Sequence, residues 1–92
     1  MIRSFKHKGL EAFFRTGSKA GIQPSHARRL AQQLKRLDTC CDVAEMNVPG
    51  WNMHFLSGRL ARHCAVTVGG NWRLTFRFED GNAFIVDYQD YH

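Results

Sequence analysis

Arg73 and Arg77 lie four residues apart in NWRLTFRF, a stretch in which apolar and polar side chains alternate. On a β-strand that alternation sends Trp72, Leu74, Phe76 and Phe78 to one face, and Arg73, Thr75 and Arg77 to the other. Arg59 and Arg62 precede the neighbouring strand-like run. A guanidinium presents a planar fork of donors that matches phosphate oxygens, so four arginines converging on one side of a sheet would bind a phosphate. The competing reading is a set of solvated strand arginines. His54 and His92 add imidazoles, which titrate near neutral pH and suit proton transfer. His7, His26 and His63, the other three of the five histidines, show no comparable company.

The stretch FIVDYQDYH places Asp90, Tyr91 and His92 directly after a strand-like run. If that run pairs in a sheet, these residues emerge from an anchored element. Tyr91 then offers a ring on which a nucleobase can stack for roughly 1–3 kcal/mol. The α-carboxylate of His92 favours its protonated ring.

The chain contains no glycine-rich dinucleotide fingerprint, phosphate-binding P-loop, GxSxG elbow or HExxH zinc motif. A nucleotide cofactor or a serine nucleophile therefore has no support. The three cysteines include no CxxC pair, so a metal site is not expected, and reduced thiols are. Arginines, histidines and a tyrosine without metal or cofactor suit RNA cleavage. The substrate's own 2′-OH attacks the adjacent phosphate after a base removes its proton. An acid protonates the leaving 5′-oxygen while cations steady the phosphorane-like charge. DNA lacks that hydroxyl.

These residues need a scaffold. MIRSF reads as a short first strand. His7 to Thr16 reads as a helix with Leu10, Phe13 and Phe14 on one stripe, stopped by Gly17. Pro24 opens a second helix, with Ala27, Leu30, Ala31, Leu34 and Leu37 on one side. Arg28, Arg29, Gln32, Lys35 and Arg36 occupy the other. DTCCDVAEMNVPG reads as a connector. After it the period becomes two: NMHFL, ARHCAVTV, NWRLTFRF and AFIVDY read as strands, with hairpin signals at Gly-Gly-Asn and Asp-Gly. The expected fold is α+β: two N-terminal helices packed on a mainly antiparallel twisted sheet, in one domain spanning 1–92.

The charge map agrees with a polyanionic partner. Residues 1–37 hold nine Lys/Arg against the single acid Glu11, and residues 55–78 hold Arg59, Arg62, Arg73 and Arg77 with no acid. The net charge is +5, and basic blocks of this kind fit nucleic acid first. No apolar run approaches the roughly 20 residues of a membrane helix, and the N-terminus lacks an apolar signal core, so cytoplasm is expected and no membrane.

MIRSFKHKGLEAFFRTG, LSGR after a histidine-containing strand, VGGNWRLTFRFEDG and the final DYQDYH together resemble the HigB-type toxins of the RelE/ParE superfamily of bacterial toxin–antitoxin systems. The resemblance runs essentially end to end. It implies the RelE-like, microbial-RNase-like fold and a ribosome-dependent endoribonuclease that cuts mRNA in the ribosomal A site and so inhibits translation. It implies a HigA-like helix-turn-helix antitoxin, through whose complex operator DNA is bound. Carried over by position, His54 and His92 transfer protons, Arg73 holds the scissile phosphate and Tyr91 orients or stacks. Asp90 fixes a histidine and Asn71 contacts a base. Arg59, Arg62 and Arg77 complete the RNA-binding set. Ser57 stands where the family commonly has a phosphate-binding lysine, a charge that Arg59 and Arg62 can supply from nearby. Two other readings remain at this point: a superfamily relative that poisons DNA gyrase, and a non-catalytic nucleic-acid-binding module working through the basic helix. If Tyr91 and His92 belong to the site, residues appended after His92 should lower toxicity and cleavage.

Overall fold

In the computed structural model, which describes residues 1–57 and 62–91, two helices lie on one face of a four-stranded antiparallel sheet. The first helix, α1, spans Lys8–Thr16. His7 caps it: the ring Nδ1 accepts the Leu10 backbone N–H at 2.9 Å, satisfying one of the donors that every helix start leaves open. Gly17 ends it in the left-handed conformation, φ 82°, and its N–H bonds the Phe13 carbonyl. A 3-10 turn at Pro24–His26 leads into α2, Ala27–Thr39.

The buried side of α2 differs from the expected stripe at two positions. Leu30, Leu34 and Leu37 are buried, but Ala31 is exposed and Gln33 is fully buried. Ala31 instead faces the groove between α1 and α2. Gln33 sits under the sheet because its amide donates to the Thr67 carbonyl at 2.8 Å, while the Thr67 N–H bonds Trp51 O at 2.7 Å. A polar side chain is tolerated there because its amide N–H satisfies the Thr67 carbonyl where the sheet register shifts between Thr67 and Gly69, although its Oε1 is buried without a partner among the described residues.

The connector is more ordered than its composition suggests. Val43–Met46 forms a 3-10 turn closed by a capping box between Asp42 and Glu45, and it buries Met46. The strands are β1 His54–Phe55, β2 His63–Gly69, β3 Trp72–Glu79 and β4 Asn82–Asp90, paired in chain order. The β3–β4 hairpin turns at Asp80 (φ 52°) and Gly81 (φ 78°), both in the positive-φ region such two-residue turns require.

MIRSF is not a full strand. It runs parallel to β4 through two isolated bridges, Ile2 to Ala83 and Phe5 to Val86. The ladder is interrupted because β4 bulges at Ile85, whose N–H turns to the Ser4 hydroxyl at 2.8 Å.

The core lies between the helices and one sheet face: Leu10, Leu30, Leu34, Leu37, Met46, Cys64, Val66, Leu74, Phe76 and Val86 are fully buried. His7 and His26, which lacked evident partners in the sequence, are structural members of this side. The His26 Nδ1 lies 2.5 Å from the Tyr88 hydroxyl, which also accepts the Gln23 N–H. His7 meets the Tyr88 ring edge-on, and Trp72 stacks on Tyr88 with centroids 4.4 Å apart. Gly9 and Gly21 let the two chain segments touch there, since a Cβ on Gly21 would fall 2.6 Å from the Gly9 Cα.

All three cysteines are free thiols, with Cys40 and Cys64 buried and Cys41 exposed. Burial pushes the Cys64 thiol up to about 11 and also raises Cys40, with Glu45 adding to the latter. Iodoacetamide at pH 8 should modify Cys41 in the folded protein and reach Cys40 and Cys64 only after unfolding. Above the ordinary thiol value of about 9 the unfolded chain loses the Cys64 proton while the folded chain keeps it. Stability should therefore be intact below pH 9 and fall by up to about 3 kcal/mol as pH rises towards 11. Urea unfolding across that range, with Cys64→Ala as the flatter control, checks this.

Candidate active site on the open sheet face

The helices cover one face of the sheet and leave the other open, and the strand register determines what stands on it. Thr67, Arg73 and Gln89 form one cross-strand row. The next holds His54, Ala65, Thr75 and Asp87. The third holds His63, Arg77 and Phe84. The sequence reading of Arg73, Thr75 and Arg77 as one face is borne out, with one refinement. Thr75 is buried, because the Gln89 amide lies over it and donates to its hydroxyl at 3.0 Å.

His54 is exposed on the two-residue edge strand β1. Its Nδ1 lies 3.0 Å from the Asn52 carbonyl oxygen. A carbonyl can only accept, so Nδ1 carries the hydrogen, and in the neutral ring Nε2 keeps its lone pair. That is the arrangement of an available base. Arg73 stands two strands away. With strands about 4.8 Å apart and residues about 3.3 Å apart, their Cα atoms are on the order of 12 Å from each other. The Arg73 Nη1 donates to the carbonyls of Gly70 (2.8 Å) and Trp72 (3.1 Å), which fixes the guanidinium at the β2–β3 turn. Its other N–H groups make no hydrogen bond among the described residues.

The same turn holds two further residues. Asn71 is exposed at its tip, and its carbonyl accepts the Tyr91 N–H at 2.8 Å. Tyr91 is thereby tied beside Arg73, and continued alternation past Gln89 gives it the open side. Asp90 lies opposite Trp72, one step out of phase with Arg73. Its charge is felt by Tyr88, whose phenol is raised first by burial and further by that carboxylate. Arg62 is exposed just before β2 with φ 73°. Arg59 and His92 lie outside the described residues, so the terminal histidine and part of the expected loop charge have no geometry here. The structure thus brings His54, Asn71, Arg73 and Tyr91 to one side of the sheet, with Arg77 further along it.

Sequence reasoning missed Phe84. The Arg77 guanidinium lies over its ring, 4.9 Å from the centroid. The only hint was the aromatic residue in AFIVDY, and its side depended on a bulge that periodicity does not reveal. Among the described residues, no three His, Cys, Asp or Glu side chains gather to hold a metal. A concavity of about 880 Å³ lies between α1 and α2 on the helix side. Phe13, Phe14 and Leu34 line it with Lys19, Arg28 and Lys35, and no His, Tyr or carboxylate does.

Residues 3–92 match the model of the HigB-like toxin family, described as RelE-like toxin of type II toxin-antitoxin system HigB. The chain belongs to the HigB-like toxin family. It is 39% identical over 92 residues to "Endoribonuclease HigB" of Proteus vulgaris, with both chains covered in full. It is 31% identical over 94 residues to "Toxin HigB-1" of Vibrio cholerae serotype O1, covering all of this chain and 98% of that one. A HigB-like toxin of a type II system is paired with an antitoxin. The α+β architecture described above is consistent with RelE-like toxins, as the sequence led us to expect. No helix among the described residues is long and apolar enough to cross a membrane.

The His54 geometry makes a direct prediction. Long-range ¹H–¹⁵N spectra at pH 8 should show His54 as the Nδ1–H tautomer, and an Nε2–H ring would remove it as a base facing the open side.

Proposed function

We propose that this toxin is an endoribonuclease that cuts mRNA in the ribosomal A site, using the 2′-OH of the RNA as nucleophile. The observation that carries the reading is the sharing of one open sheet face by His54, whose Nδ1 bonds a backbone carbonyl, and the Arg73 guanidinium. The name of the Proteus vulgaris relative supports it. A base takes the proton of the 2′-OH, the oxygen attacks phosphorus, and the bond to the 5′-oxygen breaks as an acid protonates that oxygen. His54 and His92 share these two roles. Arg73 neutralises the charge that builds on the phosphoryl oxygens. Tyr91, held by Asn71, stacks on or orients the nucleotide, Asn71 contacts a base, and Asp90 steadies a histidine. Arg59 and Arg62 supply phosphate contacts in place of the lysine that Ser57 replaces. The toxin works in the cytoplasm on translating ribosomes and is restrained by a HigA-like helix-turn-helix antitoxin, whose complex with it binds the operator.

Purified protein and its His54→Ala, Arg73→Ala and His92→Ala variants should be mixed with a defined mRNA, naked or on ribosomes with an empty A site. Primer extension should find new 5′ ends only on the ribosome. Removing either proton-transfer group should slow cutting about 10²–10⁴-fold without unfolding the protein. Cutting that is unchanged in the His54 and His92 variants would sink the acid–base scheme. No cutting by folded wild-type protein would sink the nuclease reading, leaving gyrase poisoning or simple nucleic-acid binding.

A further inference from the structure

The third row of the open face contains an arrangement that a phosphate clamp does not need. The Arg77 guanidinium carbon lies over the Phe84 ring, 4.9 Å from its centroid, its Nε is buried without a hydrogen-bond partner, and its Nη2 sits 3.8 Å from the Glu79 carboxylate. A guanidinium meant for phosphate presents its donor edge, usually in a paired fork. This one sits over a ring with its Nε shut away from solvent, and the carboxylate beside it would repel a phosphate. A flat cation on an aromatic ring is instead a surface on which a nucleobase stacks.

The backbone is built to produce this pair. Between Thr75 and Arg77 the β3–β4 register shifts by one residue: Thr75 faces Asp87, but Arg77 faces Phe84. Without the shift Arg77 would face Ile85. The extra residue is Ile85 itself, a β-branched side chain held at φ 48°, where such residues are rarely found. It is kept there by the Ser4 hydroxyl on its N–H and by the Ser4 carbonyl on the Val86 N–H. Bulges re-aim side chains, and this one exchanges an aliphatic group for an aromatic ring beneath an arginine.

We propose that Arg77 and Phe84 form a stacking subsite for one nucleobase of a single-stranded RNA, flanking the bond held near Arg73. This rests on the reading of the open face as an RNA-cleaving surface, and it adds a specificity element to it. Arg77 lies four positions along β3 from Arg73, about 13 Å, so the stacked base lies beyond the nucleotides at the cut. Preference there follows stacking strength, with purines favoured over pyrimidines.

The test uses short single-stranded RNAs in which one abasic nucleotide, which keeps its phosphate, is walked through the positions flanking a mapped cut. Binding by fluorescence anisotropy and cleavage on ribosomes are read separately, for wild type, Arg77→Lys, Arg77→Ala, Phe84→Leu and Phe84→Trp. We expect one position at which the abasic strand binds roughly 5- to 100-fold more weakly to wild type, and no such position in Phe84→Leu or Arg77→Lys. Phe84→Trp should retain it. Thermal unfolding of each variant separates loss of the subsite from loss of the fold. The proposal is overturned if no abasic position weakens binding, if no strand binds, or if Arg77→Lys behaves as wild type while Arg77→Ala merely lowers the salt dependence, which marks a phosphate contact. Base-sensitive binding without any cleavage would instead overturn the nuclease reading and leave the subsite standing.

Discussion

The open face exists because β3 is bolted down from behind. Leu74 and Phe76 are fully buried against the helices, and a strand's period of two then leaves Arg73, Thr75 and Arg77 no choice of side. A slip of one residue would bury two arginines and expose Leu74 and Phe76. Truncating Phe76 alone is worth about 3–5 kcal/mol, a large share of the roughly 5–15 kcal/mol that holds a domain together. The cationic surface is therefore set by the hydrophobic effect acting on its neighbours, and its own charges contribute little to holding it in place.

Two irregularities modify this regular frame, and each acts on the open face. The shift between Thr67 and Gly69 frees the Thr67 carbonyl for Gln33 and its N–H for Trp51. The helix α2 and the segment entering β1 are thus pinned to the strand beside Arg73. The bulge at Ile85 sets Phe84 under Arg77. Regular pairing supplies the rows of side chains. The departures choose which residues stand in them, at a cost in backbone strain that the N-terminal segment offsets through Ser4.

This division also explains what the sequence disclosed. Elements with strong periodicity were legible: α1, α2, and the Trp72–Glu79 strand with its two faces. So were the hairpin turns, because glycine and Asp-Gly report backbone conformation directly. Gln33 was not, since its burial depends on a carbonyl that only the register shift releases. Nor were the partners of His7 and His26, which meet Tyr88 from the starts of the two helices, far away in sequence. Phe84 needed knowledge of the bulge. The candidate catalytic residues were legible through their types and their family resemblance, whereas their positions relative to one another follow from long-range pairing that no local pattern encodes.

The β2–β3 turn shows how few backbone atoms such a site needs. The Gly70 carbonyl holds the Arg73 guanidinium, and the Asn71 carbonyl holds the Tyr91 N–H. Trp72 pairs with Asp90 on the next strand and stacks on Tyr88, which His26 fixes from below. Arg73 and Tyr91, eighteen residues apart in sequence, thus take their positions from three consecutive residues. A displacement of this turn would move the Arg73 guanidinium and the Tyr91 ring together and preserve their relation to each other. Only their distance to His54, on the opposite edge of the sheet, would change. The precision of the site therefore rests on β2, the strand between them, whose side chains do none of the proposed chemistry.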